Sequence, residues 1–427
     1  MSGKKQKNAI IIKKFKEKHT IMQYRDVVIV DGCRTPVGSM GGSLKPLHAN
    51  ELAGVVMNAL IERTGIDKAL VDEVVMGQCR QTSDESNMAR FAALRAGFPD
   101  TTSGQTVMRQ CASAMTAVQT GMMEVASGLA DVVIAGGAES MSNGVFYTEG
   151  RYGLGTGNFT MKDAITEGQF QCQPNEIYGH FNMGMTAENI ADKLGITREE
   201  MDALSLESHR RCAAATDEGK FKDEIIPVTV PQGKKKPPIV FDTDEFFRRD
   251  TDMEKLAKLK PVFRSAEEGG RVTAGNSSGR NDAAAAILMM TPEKAKELGL
   301  KPICKIIGIG LAGCDPTTMG LGPVYAVPKA LKMAGITIDD VSVIELNEAF
   351  AAQALGCIKM LGWEDKMDII NPNGSGISMG HPIGCTGCRL IVTLMYELRR
   401  RHAKYGLATL CIGGGMGQAT VIEILDD

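Results

Sequence analysis

Two kinds of hydrophobic pattern alternate along the chain. Short runs rich in Val and Ile, at residues 26–31, 71–77 and 131–137, are bounded by Gly, Asp or Glu and predict strands. Elsewhere apolar residues recur every three or four positions, as in residues 50–64 and 325–333, which predicts helices with one buried face. Strands that are apolar on both faces are typical of sheets covered by helices. The pattern therefore predicts a layered α/β fold.

The plan of the first part of the chain repeats after residue 300. A strand at 303–309, a helix at 325–333 and a turn and strand from 335 onward follow the order found near the N-terminus. Each part then continues to a helix and a further buried strand, at 131–137 in the first part and 406–415 in the second. This repetition predicts a duplicated β/α unit with two similar halves.

A long stretch between the halves, residues 142–271, breaks the pattern with Gly-rich turns and charged segments. Excursions of this length are usually functional. We therefore predict an N-terminal half made of residues 23–141 and 272–300, an inserted region at 142–271 and a C-terminal half at 301–427. Residues 1–22 form a separate basic extension.

The basic extension has seven lysines within residues 1–21 and a short apolar run at 9–12. That run is too short to cross a membrane, and no small-residue cleavage site follows it. We interpret the extension as a solvated arm, with a mitochondrial presequence as the alternative.

Composition narrows the function classes. The chain has 427 residues with a net charge of -3 and 5% aromatic residues, which argues against a general nucleic-acid binder. Eleven cysteines are scattered, and the one CxxC, Cys385 and Cys388, has no second pair. Neither a disulfide framework nor a metal site is therefore expected, and the predicted location is a reducing compartment, the cytoplasm.

One cysteine stands at the start of a helical pattern. In residues 106–128, apolar side chains recur at helical spacing behind Cys111, and Gly128 supplies a stop. The N–H groups and dipole at a helix N-terminus favour a thiolate, so we expect a lowered pKa and a nucleophilic Cys111. The alternative is a small buried side chain without chemical function.

A candidate base comes from the second half. His381 is framed by Gly380, Pro382 and Gly384, a rigid turn that lets the backbone approach a ligand. Such a histidine can take a proton from a thiol and then stabilise an oxyanion, although it can also serve only as a helix cap. Asn347 and Cys411 each follow or end a predicted strand, where open α/β sheets place their sites.

Five short motifs, in this order, carry a family resemblance: RQCAS around Cys111, AGNSSG at 274–279, NEAF at 347–350, GHPIGCTG at 380–387 and CIGGGMG at 411–417. Together these motifs span nearly the whole chain after Met22. The chain therefore resembles the thiolase family of acyl-CoA acyltransferases. The resemblance implies a five-layer αβαβα core of two similar halves, with residues 142–271 as a CoA-binding loop domain. It also implies a homodimer or homotetramer.

The resemblance implies residue roles as well. Cys111 is the expected nucleophile, His381 activates it, Cys411 is an acid/base, Asn347 holds a water at the oxyanion of His381, and the N–H groups of Cys111 and Gly413 form a second oxyanion hole. The expected CoA contacts are Arg248, Met183, Ala274, Ser278 and Phe350. CoA is thus expected as a substrate and not as a bound cofactor.

The predicted reaction is CoA-dependent cleavage of a 3-oxoacyl-CoA, or condensation of two acyl-CoA molecules, through an acyl-Cys111 thioester. Departures from common family residues at Asn182, Met108 and Ala114 leave the acyl chain length open. The alternatives are a decarboxylating ketoacyl synthase and a CoA-binding protein without turnover.

Overall fold

The computed structural model describes residues 24–150 and 156–425, so the basic extension at 1–22 lies outside the described residues. The strands are β1 (Val28–Arg34), β2 (Gly38–Ser39), β3 (Glu73–Gly77), β4 (Ser103–Val107), β5 (Val132–Ser140), β6 (Phe146–Tyr147), β7 (Lys162–Asp163), β8 (Val228–Val230), β9 (Ile239–Phe241), β10 (Asn281–Met290), β11 (Cys304–Gly313), β12 (Val343–Leu346), β13 (Tyr405–Ile412) and β14 (Met416–Ile424).

The α-helices are α1 (Ala49–Thr64), α2 (Met88–Arg95), α3 (Ser113–Ser127), α4 (Ala164–Phe170), α5 (Asn175–Tyr178), α6 (Met183–Leu194), α7 (Arg198–Asp217), α8 (Met253–Ala257), α9 (Pro292–Glu297), α10 (Gly322–Ala334), α11 (Ala351–Leu361), α12 (Gly376–Met379) and α13 (Thr386–Arg400). None of the helices within the described residues is long and apolar enough to span a membrane.

The sheet shows the duplication directly. In the N-terminal half the strand order is β1-β10-β5-β3-β4, and in the C-terminal half it is β11-β14-β13-β12, followed by Ile370, which pairs with Ile344 of β12. In both halves the first two pairings are antiparallel and the last two are parallel. The halves join where Ile29 of β1 pairs with Cys304 of β11. The predicted repeat of one plan is thereby confirmed.

Alternate residues of the strands enter different cores, as the period of two requires. Val74 and Ile134 pack with α1 and α2 on the outer face of the N-terminal half, whereas Val75 and Val133 face a central core. On the other side, Ile344 and its neighbours in β12 to β14 pack with α10 and α11 in an outer core. The layers therefore run helix, sheet, helix, sheet, helix, and the α/β five-layer prediction is confirmed.

The central layer consists of α3 and α13, which pack against each other. Nearly all of α13 is buried, including residues Thr386 and Leu398 near its two ends. Both helices contribute to the same central core, α3 through Met115 and Val118 and α13 through Leu390 and Ile391. The N-termini of α3 and α13 follow Cys111 and His381, respectively, so the two central helices position the candidate site.

Strand β1 begins at Val28 and ends at Arg34, three residues beyond the end of the predicted run at 26–31. Arg34, its last residue, is fully buried and bonds Glu224 at 2.7 Å and Asp244 at 2.7 Å. Both acids belong to the inserted region, so these ion pairs fasten that region to the core. Removing one partner would leave a buried charge uncompensated, at a cost of about 3–5 kcal/mol.

Candidate active site

Cys111 lies in a tight turn between β4 and α3. The residue before it, Gln110, has a left-handed backbone with φ of 48°, which is uncommon for a residue with a Cβ. The Ser113 hydroxyl fastens the turn, since it donates to the Gln110 carbonyl at 2.7 Å and accepts from the Arg109 N–H at 2.9 Å. The half-buried Cys111 thus precedes the first turn of α3, in the position that the sequence pattern predicts.

The Cys111 thiol is held in its neutral form. Burial raises its pKa to about 11, although the Gly413 N–H, the charge of Arg80 and its own N–H act in the opposite direction. The prediction of a lowered pKa is therefore wrong: desolvation of the thiolate outweighs the helix N-terminus and the donors around the sulfur. A nucleophilic Cys111 consequently needs a base that takes its proton during attack.

His381 can serve as that base. The turn that holds it depends on Gly380, whose φ is 106° and where a Cβ would overlap the Asn281 side chain. This close approach lets the His381 N–H donate to the Asn281 side-chain oxygen at 2.9 Å. The ring is buried, and burial, with a smaller contribution from Arg389, lowers its pKa to about 3. The imidazole is therefore neutral at physiological pH.

Thr386 fixes which ring nitrogen of His381 carries the proton. The Thr386 hydroxyl lies 2.7 Å from Nδ1, and it donates its own hydrogen to the Pro382 carbonyl at 3.0 Å. The hydroxyl oxygen must then accept from an Nδ1–H. Nε2 is left as a bare acceptor, buried and without a partner among the described residues. This tautomer is the one that a general base requires.

Asn347 directly follows β12 and is fully buried. Neither atom of its side-chain amide finds a hydrogen-bond partner in the described part of the chain. Because a buried amide is costly without a partner, its two polar atoms are available to a substrate oxygen or a water.

Cys411 is the second-last residue of β13 and is also fully buried. It packs in an apolar cluster with Met183 and Phe350. Burial raises the pKa of its thiol well above the ordinary range, and interaction with Cys111 adds to the rise. Cys411 is therefore a neutral thiol close to Cys111, in the state required of a proton donor.

A cavity of about 270 Å³ joins most of these residues. Its wall includes six of the predicted site residues: Cys111, His381, Gly413, Met183, Ser278 and Phe350. Asn347 and Cys411 are buried and do not line the cavity: Asn347 lies three residues before Phe350 in the chain, and Cys411 packs in the apolar cluster with Phe350. Arg248 and Ala274 instead line a separate, smaller cavity of about 120 Å³ with His209 and Lys255. The predicted set thus divides into a reaction centre and a second group in the neighbouring cavity.

Three groups near Cys111 are not among the site residues predicted from the sequence. Arg80 and Cys172 line the same cavity. Glu139 lies behind it and accepts the backbone N–H groups of Cys79, Arg80 and Gly384. None of them stands in a recognisable motif, so periodicity and spacing give no signal. The one available signal is that Arg80 lies three residues after the end of β3, where open α/β sheets place their sites.

Comparisons with known proteins agree with this geometry. Residues 27–293 match the family model described as "Thiolase, N-terminal domain", and residues 300–424 match "Thiolase, C-terminal domain". An acetyl-CoA acetyltransferase of Chromobacterium violaceum is 49% identical over 399 residues, which cover 93% of this chain and 99% of that protein.

Solved structures show the same likeness. The Bacillus anthracis acetyl-CoA acetyltransferase has a TM-score of 0.90 at 43% identity, covering 95% of this chain and 100% of its own. The human mitochondrial 3-ketoacyl-CoA thiolase in complex with CoA has a TM-score of 0.87 at 37% identity, covering 94% and 98%. Since both family models match in order, the core is duplicated and five-layered, and Cys111 and His381 line one cavity, this chain belongs to the thiolase family.

Proposed function

We propose that Cys111, His381, Asn347 and Cys411 carry out the CoA-dependent acyl transfer of this thiolase through an acyl-Cys111 thioester. The reaction cleaves a 3-oxoacyl-CoA with CoA, or in reverse condenses two acyl-CoA molecules, acetyl-CoA giving acetoacetyl-CoA. The observation that carries the proposal is that the neutral Cys111 thiol and the neutral His381 imidazole line the same cavity, with the bare Nε2 of His381 buried and unpartnered among the described residues. From this reaction class we also propose a role in fatty acid metabolism.

In the cleavage direction, the Cys111 sulfur attacks the 3-oxo carbon while His381 Nε2 takes the thiol proton. The carbon–carbon bond between C2 and C3 then breaks, which leaves an acyl group on Cys111 and the enolate of acetyl-CoA. Cys411 protonates that enolate at C2. A second CoA thiol then attacks the thioester and gives its proton to the Cys411 thiolate, while the protonated His381 returns its proton to the Cys111 sulfur, which leaves as a thiol.

Two oxyanions form along this route. The N–H groups of Gly413 and Cys111 both lower the pKa of the Cys111 sulfur, so they point to the place where the acyl oxygen develops charge. His381, once protonated, and a water held by the free amide of Asn347 would stabilise the enolate oxygen. Stabilisation by preorganised donors is usually the largest single contribution to such reactions.

The inserted residues 142–271 and the AGNSSG loop would hold CoA. Met183, Ser278 and Phe350 line the reaction cavity, with Phe350 edge-on to Phe263 at 6.2 Å, and suit the apolar pantetheine arm. Arg248 and Ala274 line the neighbouring cavity, where the Arg248 guanidinium suits a phosphate. Residues 142–271 are therefore proposed as the CoA-binding loop domain.

The proposal includes a cellular compartment and an oligomeric state. All eleven cysteines are free thiols, which suits a reducing compartment such as the cytoplasm. A homodimer or homotetramer is proposed from the family resemblance. Light scattering behind a sizing column measures that state.

A thiolysis assay tests the function. Purified protein should convert acetoacetyl-CoA and CoA into two acetyl-CoA, and a series of longer 3-oxoacyl-CoA substrates should define the chain length. Condensation of malonyl-CoA with loss of CO₂, without any thiolysis, would favour a ketoacyl synthase. Binding of CoA without either reaction would indicate a non-catalytic protein.

A further inference from the structure

One cation on the wall of the reaction cavity has no ion-pair partner among the described residues. The half-buried Arg80 forms no ion pair, and no side-chain hydrogen bond from its guanidinium occurs within residues 24–150 and 156–425. Its Nε is buried and unpartnered. A guanidinium presents its donors in a fixed fork that matches a carboxylate, so leaving it unpaired in a ligand cavity is informative.

The nearest acid does not serve as its partner. Glu139 influences Arg80 electrostatically, but its oxygens accept the N–H groups of Cys79 at 3.1 Å, Arg80 at 3.1 Å and Gly384 at 2.8 Å. Burial raises the pKa of Glu139 to about 7, against these hydrogen bonds and the charge of Arg80. The carboxylate is thus committed to backbone donors.

The Arg80 guanidinium occupies space that a side chain at position 168 would otherwise fill. It lies against Gly168 of α4, where a Cβ would come within 2.4 Å of the guanidinium nitrogen. A side chain at position 168 would therefore push Arg80 out of its position. Glycine at 168 keeps a defined place for the cation beside the reacting thiol.

Arg80 also borders a second, adjoining cavity of about 260 Å³, whose wall includes Cys79, Gln81, Met108 and Val145. None of the proposed CoA contacts lines this adjoining cavity. The pantetheine arm is expected along Met183, Ser278 and Phe350, so space next to Arg80 remains for the other end of the substrate, the acyl chain.

We propose that Arg80 binds a carboxylate at the end of the substrate acyl chain, so that the preferred substrates are 3-oxoacyl-CoA thioesters of dicarboxylic acids. The inference rests on the proposed function and names its substrate class. In cleavage, Cys111 attacks the 3-oxo carbon, the C2–C3 bond breaks, and the carboxylate-bearing acyl group passes to CoA. Arg80 is a specificity-determining residue that contacts the substrate away from the broken bond.

Arg280 is the other guanidinium on the cavity wall, and it differs from Arg80. It lies near Asp163, whose pKa is lowered mainly by a hydrogen bond from Thr166 and further by the charge of Arg280. Like Arg80, Arg280 forms no ion pair within the described residues, but of the two only Arg80 has a buried guanidinium nitrogen without a partner, so we assign the carboxylate contact to Arg80.

The test compares two substrates of equal acyl carbon number, 3-oxoadipyl-CoA with a terminal carboxylate and 3-oxohexanoyl-CoA with a terminal methyl. Thiolysis kcat/KM is measured for wild type, Arg80→Met, Arg80→Lys and Arg280→Met, with thermal melting to establish folding. Arg80 also lowers the pKa of Cys111, so its loss can slow both substrates. The ratio of the two kcat/KM values removes that common effect.

Wild type should favour 3-oxoadipyl-CoA by at least ~10-fold, and Arg80→Met should reduce the ratio by about 10- to 100-fold, the scale of a hydrogen bond to a charged group. Arg80→Lys should retain part of the preference, and Arg280→Met should change the ratio less than Arg80→Met. Equal use of both substrates by wild type, or an equal loss on both in Arg80→Met, would overturn the assignment. Wild type that cleaves neither substrate nor acetoacetyl-CoA would overturn the proposed function as well.

Discussion

In the N-terminal half the chain leaves the edge strand β4 and enters the central helix α3, with Cys111 in the short turn between them. In the C-terminal half it passes Ile370, the edge partner of β12, and enters the central helix α13, with His381 in the longer connection between them. The two residues thus occupy equivalent places in the two halves. The first connection is tight and strained at Gln110, whereas the second is built from glycines such as Gly380.

The segments that follow β3 and β12 also occupy equivalent places in the two halves and carry different side chains. Strand β3 is followed by Gln78, Cys79 and Arg80, whereas its counterpart β12 is followed by Asn347. Duplication therefore supplies one scaffold that brings two helix N-termini and two strand ends together. Each half carries different side chains there, and in the proposed mechanism the nucleophile and the base come from different halves.

The largest expected effect concerns the protonation state of the nucleophile. With a pKa of about 11, Cys111 should react with iodoacetamide roughly tenfold faster per pH unit, about 10³-fold between pH 7 and 10, because only the thiolate reacts. Peptide mass mapping against time measures this rate. Cys314, half-buried and with a pKa also raised to about 11 by burial, is an internal reference for the slope. A rate that is already constant below pH 8 would mean a Cys111–His381 ion pair and contradict the neutral pair.

Removing the base from the C-terminal half should disable both chemical steps. His381→Ala should lower acetyl transfer to Cys111 and α-proton exchange by about 10³-fold each, within the usual range for a positioned general base. Rapid-quench mass spectrometry and NMR follow the two steps. His402→Asn is a matched control, because His402 is exposed and asparagine tolerates its left-handed backbone. Unchanged acetyl transfer in His381→Ala would remove His381 from the first step.

Cys411 should affect α-proton exchange and release of the acyl group to CoA far more than formation of the acyl-enzyme. In Cys411→Ala, Cys111 should still accept an acetyl group, since His381 takes its proton, while exchange of acetyl-CoA α-protons with deuterated water should fall by at least ~10². Cys388→Ala, a fully buried cysteine in the central core, controls for the loss of a buried thiol. Exchange at the wild-type rate in Cys411→Ala would leave that cysteine with a structural role and favour a synthase-like mechanism.

The smallest effect is expected in the neighbouring cavity. Arg248→Ala should raise KM for CoA by about tenfold with little change in kcat, the signature of a lost uniform binding contact. The adjacent Arg249→Ala is a suitable control because Arg249 is exposed and paired with Asp217 at 2.8 Å. A large fall in kcat at constant KM would contradict a binding role for Arg248.

Much of this fold can be predicted from the local sequence pattern. The features that cannot be predicted depend on contacts between distant segments. Apolar periodicity predicts the central helix α3 and the buried strands, and the repeat predicts two halves. The extent of β1 could not be predicted, because its last residue, Arg34, is buried only through Glu224 and Asp244, which lie far away in the sequence. Tertiary ion pairs leave no periodic signal.

In the candidate site, too, some features can be predicted from the sequence and others cannot. Glycine-rich turns and strand ends identify Cys111, His381, Asn347 and Cys411, since backbone constraints appear in local sequence. The pKa of Cys111 could not be predicted, because burial by other segments decides it. Arg80 escaped notice for a related reason: a single arginine is informative only once its lack of a partner is visible.

The central claim is that the N-terminal half supplies the nucleophile and the C-terminal half supplies the base and the acid. The most direct measurement is peptide mass mapping of the acid-quenched enzyme after brief exposure to acetyl-CoA, in wild type, Cys411→Ala and His381→Ala. The account predicts acetyl on Cys111 alone among the eleven cysteines, present in wild type and Cys411→Ala and strongly delayed in His381→Ala. Acetyl centred on Cys411, on Cys172, or on no cysteine of the folded protein would contradict it.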